Sequence, residues 1–152
     1  MTAATSSLRD LSRPECVGLL ASSSVGRIGV TLDGRPVILP VNFAVVDGSI
    51  LFRTGHGTKL AAATAHVVVA FEADGFEPDG AAGWSVVVRG TCTEVTDAEQ
   101  LERMRAVPLD RWVNDTDANR YVVISLTEIS GRRFGLAATN RGSLGRTRPW
   151  PT

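Results

Sequence analysis

Two Asp-Gly pairs, Asp33-Gly34 and Asp47-Gly48, cut the chain between residues 25 and 54 into three apolar-rich stretches. Asp-Gly is a strong signal for a two-residue hairpin loop, because a type I′ turn needs positive φ at both central positions. Val25 to Leu32, Pro36 to Val46 and Ser49 to Thr54 therefore read as three antiparallel strands of a meander. Gly26 and Gly29 interrupt the first. Pro40 lies inside the second, where it removes a ladder donor and marks an edge, a bulge or a ligand-facing kink.

The flanking sequence adds strands and short helices. Ser12-Arg13-Pro14-Glu15 reads as a capping box with proline in the first turn. Leu11 and Cys16 form a staple across that start, and the helix ends near Ala21–Ser24. A second short helix opens at Gly57 or Thr58 and runs to Thr64. Ala65 to Glu72 is a fourth strand, Ala73 to Ala82 a loop rich in Asp, Gly and Pro, and Trp84 to Val95 a fifth strand. Thr96-Asp97-Ala98-Glu99 caps a helix carrying Leu101, Met104 and Val107, which Pro108 stops. Tyr121 to Ile129 is the sixth strand, and Gly131 to Gly135 reads as a turn into a last short one. No βαβ rhythm is present, which argues against a dinucleotide-binding doubly wound sheet. The pattern predicts a mainly β, six- to seven-stranded antiparallel barrel with short helices, since closure removes exposed edges. At 152 residues the chain is read as one domain. Residues 1–10 are expected to be a flexible N-terminus, 11–137 the barrel and 138–152 an extended tail.

Balanced charge narrows the function classes. Sixteen Lys and Arg offset sixteen Asp and Glu, so a general nucleic-acid surface is not expected. No apolar run reaches transmembrane length, and Met1 to Ser7 lacks the order of a signal peptide, so the cytoplasm is the expected location. Cys16 and Cys92 are isolated and read as small buried hydrophobes. No Gly-x-Ser-x-Gly elbow is present. Glu72, Asp74, Glu77 and Asp79 lack the spacing of an EF-hand and read as a solvated loop.

The chemistry concentrates in Phe52-Arg53-Thr54-Gly55-His56-Gly57-Thr58-Lys59-Leu60. This strand-to-helix corner combines two cations, two threonines and two glycines, and Lys59 is the only lysine in the chain. A helix N-terminus offers free N–H groups to an anion, the glycines permit tight backbone approach, and Arg53 can form paired charge-assisted bonds to a phosphate. The same composition also suits a solvated surface turn. His56 and His66 have no partnered cysteines and do not read as a metal site. Arg132 and Arg133 read as a solvated turn first and an anion contact second.

Set in order, Val25-Gly26-Arg27-Ile28, Pro40-Val41-Asn42-Phe43, Phe52-Arg53-Thr54 with Lys59-Leu60, Val69-Ala70-Phe71-Glu72 and Gly83-Trp84-Ser85-Val86 resemble the pyridoxamine 5′-phosphate oxidase-like family of flavin-binding split barrels. The resemblance runs from about Leu11 to Ile129. It implies a homodimer with FMN at the interface, and a flavin-dependent oxidoreductase or flavin reductase using NADH, NADPH or a small substrate. By resemblance, Arg53, Thr54 and Lys59 are phosphate ligands with Thr58 beside them. Pro40, Val41 and Asn42 lie along the isoalloxazine, and Trp84 and Ser85 reach the cofactor from one subunit or the other. The tail from Thr139 to Thr152 shows no substrate pattern of a true pyridoxamine-phosphate oxidase. Relatives that bind F420 or haem leave two alternatives open: an F420-dependent reductase, or a non-catalytic flavin or haem carrier. No side chain is singled out as catalytic.

Overall fold

The computed structural model describes residues 6–55, 61, 64–109 and 119–136. The elements are β1 (Ser6–Asp10), α1 (Arg13–Ala21), β2 (Val25–Leu32), β3 (Arg35–Val46), β4 (Ser49–Thr54), β5 (Val68–Phe76), β6 (Gly83–Glu94), α2 (Ala98–Arg105), β7 (Arg120–Ser125) and β8 (Glu128–Leu136). Both hairpin turns form as the Asp-Gly pairs require, with φ of 49° and 73° at Asp33 and Gly34 and 49° and 70° at Asp47 and Gly48. All strand pairings are antiparallel, in the order β1-β8-β6-β5-β2-β3-β4-β7, and β7 returns to pair with β6. Six strands thus close a barrel, and β8 and β1 extend the sheet beyond it. This is the expected split barrel.

One long strand makes the closure possible. Gly83 to Arg89 of β6 pairs with β8, whereas Cys92 to Glu94 pairs with β7. Gly90 sits where the partner changes. A Cβ there would lie 1.8 Å from the Ser125 carbonyl oxygen, so only glycine lets β7 cross at this point. The barrel interior is filled by alternating residues, among them Ile28, Phe43, Phe52, Phe71, Val86, Val88 and Ile124. Phe43 and Phe71 meet edge to face, with ring centroids 4.8 Å apart, a favoured aromatic geometry.

Helix α1 plugs one end of the barrel with Cys16 and Leu20, both fully buried. Its start is fastened as the sequence implies: Ser12 Oγ accepts from the Glu15 N–H, and the Ser12 N–H donates to Glu15 Oε2 at 2.8 Å. Arg9 of β1 also bonds the Glu15 carboxylate, at 3.0 Å. Together these contacts, Arg9 first, hold the Glu15 carboxyl down at about 2 from its ordinary 4.5. A depressed carboxyl contributes stability above its unfolded pKa and loses it as pH falls through the folded value. Glu15→Gln is therefore expected to melt below the native chain at neutral pH, with the gap closing as pH drops from about 4.5 to about 2. Melting curves across that range test this, and a gap that stays constant would contradict it.

Helix α2 covers a second, smaller cluster of Leu51, Val95, Met104 and Tyr121 on the outside of the barrel. Asp97 is its N-cap, accepting from the Gln100 N–H at 2.9 Å. Both cysteines are free and buried, and burial pushes the Cys92 thiol up to about 12. Among the described residues, no helix is long and apolar enough to cross a membrane.

Three sequence expectations require correction. Residues 6–10, read as part of a flexible N-terminus, form β1, whose register pairs Ser6 with Leu136 and Asp10 with Arg132. Strand β5 begins at Val68 and continues through Ala73–Phe76, which was read as loop. The acidic residues there are not simply solvated: Glu72 and Asp74 hold Arg27 of β2 at 3.2 and 3.4 Å. Finally, Gly131 to Gly135 is not a turn but the middle of β8. Gly131 is needed for clearance, since a Cβ there would meet Cys16 Sγ at 2.7 Å.

Candidate functional site

Strand alternation sorts the candidate residues onto two faces. On β3, Val41 and Phe43 are buried in the barrel, while Pro40 is exposed and Asn42 half-buried on the outer side. On β4, Phe52 and Thr54 are buried, and Arg53 is half-buried on the outer side. Phe43 and Phe52 are the last paired residues of β3 and β4, so the next step of that register sets Asn42 beside Arg53. Among the described residues, Arg35 to Asn42 pairs only with β2. The β3–β4 ladder ends there, next to Pro40–Asn42.

Arg53 is held in place at this end of the ladder. It lies opposite Tyr121 in the β4–β7 ladder, with its guanidinium carbon 5.4 Å from the centroid of that ring. This is a cation–π arrangement. Its Nε is fully buried. The next pair in the ladder joins Thr54 to Arg120. Arg120 Nε in turn donates to Glu94 Oε1 at 2.7 Å. The structure therefore offers a cation supported by an aromatic face, one register step from an amide. Thr58, Lys59 and His56 lie outside the described residues, as do Trp112, Trp150 and the tail.

Trp84 and Ser85 are placed elsewhere. Trp84 lies across Gly75, where a Cβ would meet its Nε1 at 2.5 Å, and it packs against the main core. Ser85 is paired with Asp74 and sits on the outer face beyond β2 and β5 from Pro40. Three strand spacings of about 4.8 Å separate β3 from β6, so within one subunit these two residues do not join the Pro40–Arg53 group. His66 precedes β5 in an exposed bend with φ of 52°.

Sequence reading missed the Arg27–Glu72–Asp74 cluster. Arg27 is opposite both Pro40 and Glu72. Burial pushes the Glu72 carboxyl up, and the neighbouring Asp74 charge adds to this while Arg27 opposes it. The available signal was the Arg at an outward position of β2 with acids two residues apart in the stretch after Phe71. Tyr121 was also missed as a partner for Arg53, because the register of β4 on β7 is long-range.

Comparison with known proteins agrees with this architecture. The family model described as pyridoxamine 5′-phosphate oxidase matches residues 12–133. The chain is 46% identical over 110 residues to the uncharacterized protein Rv0080 of Mycobacterium tuberculosis, covering 69% of this chain and 72% of that one. Among solved structures, it is similar to the FAD binding protein of Mycobacterium smegmatis, at 38% identity and TM-score 0.72, covering 84% of this chain and 98% of that one. It also resembles an FAD-binding protein of Mesorhizobium loti, at 27% identity and TM-score 0.70, covering 83% and 97% of the two chains. With the closed six-stranded barrel and the matched span extending from α1 into β8, the chain belongs to the pyridoxamine 5′-phosphate oxidase family.

Proposed function

We propose that this chain binds a flavin nucleotide, FMN or its equivalent within a larger flavin, and acts as a flavin-dependent oxidoreductase. The observation that carries this is the anchored Arg53, backed by Tyr121 and set beside Asn42 where the β3–β4 ladder ends. A preoriented guanidinium suits a phosphate because its N–H groups match the oxyanion geometry and need no deprotonation. Lys59, six residues on, supplies the second charge in this reading. Thr58 supplies a hydroxyl, and the buried Thr54 shapes the end of β4. Val41 anchors the strand inward while the backbone of Pro40 to Asn42 lies along the ring. The names of the M. smegmatis and M. loti relatives, both described as FAD-binding, support a flavin.

A bound flavin supplies the hydride chemistry itself. The protein's part is to hold the phosphate, orient the ring and present main-chain donors where charge grows on reduction. A homodimer fits the separation of Ser85 from Arg53, since a second copy would bring its own outward Ser85 to the Pro40–Arg53 group. The outer face of β3, β2, β5 and β6 supports this, because Ile38, Val68 and Val87 stand exposed on it at 72%, 70% and 44%. Gly29 and Ala70 continue the row from Ile38, and the Arg27–Glu72 pair lies in the row of Val87. An absorbance titration of the purified chain with FMN tests the proposal, followed by assays with NADH, NADPH and reduced F420. Saturable uptake with a shifted flavin spectrum and turnover of one donor is the expected result. Uptake of F420 or haemin in place of flavin would replace the chemistry.

A further inference from the structure

The outer face of the sheet carries a cavity of about 530 Å³ where β1 ends. Ser85 and Val87 of β6 line it, with Ile129, Ser130 and Arg132 of β8 and with Leu11 just beyond β1. Ser85 stands opposite Arg132, and Val87 opposite Ser130, in the β6–β8 ladder. Strand alternation therefore puts these four side chains on one face. Asp10 and Arg132 are the last paired residues of β1 and β8. The Leu11 N–H still donates to the Gly131 carbonyl at 2.9 Å, and the chain then turns into α1. Among the described residues, Glu128 to Ser130 thus has a strand on one side only, and the cavity lies at that step in the sheet.

We infer that this cavity is the substrate pocket and takes a small organic monocarboxylate, with its carboxylate on Arg132 and its apolar body against Val87, Ile129 and Leu11. Among the described residues of its wall, Arg132 is the one cation. Its Nε lies 3.6 Å from Asp10 Oδ1, beyond hydrogen-bond length. Both partners are well exposed, so the pair is worth little and is readily exchanged for a ligand. The planar guanidinium fork matches a carboxylate, and Ser85 and Ser130 add hydroxyl donors beside it. One cation next to Asp10 suits a single negative charge. A dianionic phosphate would be repelled by Asp10 and by Asp74, which stands opposite Ser85 in the β5–β6 ladder. The volume lies within the range of small-molecule sites, about 300–1,000 Å³. The role as substrate pocket rests on the flavin reading above; the preference for a carboxylate does not. In that reading Ser85 is the residue that a second copy carries to the Pro40–Arg53 group. A molecule held between Ser85 and Arg132 then lies one strand spacing from the flavin site.

Benzoate is the probe, titrated calorimetrically into the purified full chain before and after loading with FMN. Saturable binding is expected, with neutral benzamide at least about tenfold weaker. Arg132→Leu is expected to weaken benzoate by a similar factor, Arg132→Lys to recover part of it, and Ser130→Trp, at an exposed position, to fill the cavity and abolish binding. Arg133→Leu is the control, since alternation turns that residue to the other face of β8, opposite Trp84, and it should change nothing. On the loaded chain benzoate is expected to shift the flavin absorbance, and Arg132→Leu to remove the shift while leaving FMN affinity unchanged. No saturable benzoate binding in either form would overturn the inference. So would benzamide or inorganic phosphate binding as tightly, or benzoate binding that ignores both Arg132→Leu and Ser130→Trp. Benzoate that binds through Arg132 without moving the flavin spectrum would overturn the substrate role and leave the flavin reading standing. Benzoate binding without any uptake of FMN would remove the flavin reading, and the substrate role with it, and leave the carboxylate site.

Discussion

Replacing Gly90 with alanine is expected to destabilise the chain by about 3 kcal/mol or more, beyond the usual 1–3 for an overpacked site. The added methyl would stand 1.8 Å from the Ser125 carbonyl oxygen and 2.8 Å from its carbon. Those are backbone atoms, which cannot rotate aside as a side chain does. Relief requires β7 to move away from β6, and the three-residue pairing of Cys92–Glu94 with Val122–Ile124 is what closes the barrel. For a chain of this size, the loss corresponds to a melting point lower by roughly 10 °C, or to failure to accumulate in folded form. Gly18→Ala is the matched control. Gly18 lies in α1 with nothing within 4 Å of an added Cβ, so the same change there is expected to stabilise by about 0.5–1 kcal/mol through helix propensity and unfolded-state entropy. Thermal melts of the two variants should move in opposite directions. A Gly90→Ala chain melting within about 2 °C of native would contradict the account of closure.

The second large effect falls on the ligand. Changing Arg53 and Lys59 together to alanine is expected to weaken flavin binding by roughly 10²–10⁴-fold, taking about 1.5–3 kcal/mol for each hydrogen bond to a charged group. Arg53→Ala alone should account for about 10–100-fold of this. Arg53→Lys should recover little of it, because lysine keeps the charge but loses the planar fork and its seat over Tyr121. Equilibrium titration of FMN into each variant measures the loss, and circular dichroism checks that the barrel persists. Raising salt should weaken the native affinity more than that of the double variant. If the double variant holds FMN as tightly as the native chain, the phosphate lies elsewhere.

Much of the barrel could be read from local signals, because its turns and caps are short-range devices. The Asp33-Gly34 and Asp47-Gly48 turns and the Ser12–Glu15 box each need only a few adjacent residues to act. What escaped was non-local. β1 carries no internal periodicity that marks it as a strand, and it exists because Ser6 to Asp10 meets residues 132–136 at the other end of the fold. Gly75 and Gly131 looked like loop and turn residues, yet each is in a strand because a neighbour occupies the space of its missing side chain. At the candidate site, Arg53 was visible as a residue type in a suggestive corner. Its seat over Tyr121 and the separation of Ser85 from Pro40 depend on strand order, which sequence spacing does not encode.

The placement of β7 also has a consequence in time. The β2–β3–β4 meander can pair as soon as it is made, but the free edge of β4 and the end of β6 share a single partner that begins only at Arg120. During synthesis at about 5–20 residues per second, β4 waits for seconds with Leu51 and Phe52 prepared for burial and no ladder on one side. An unpaired apolar edge is the surface through which nascent chains associate. Slower translation between Thr54 and Arg120 therefore lengthens the interval in which the half-made barrel is adhesive.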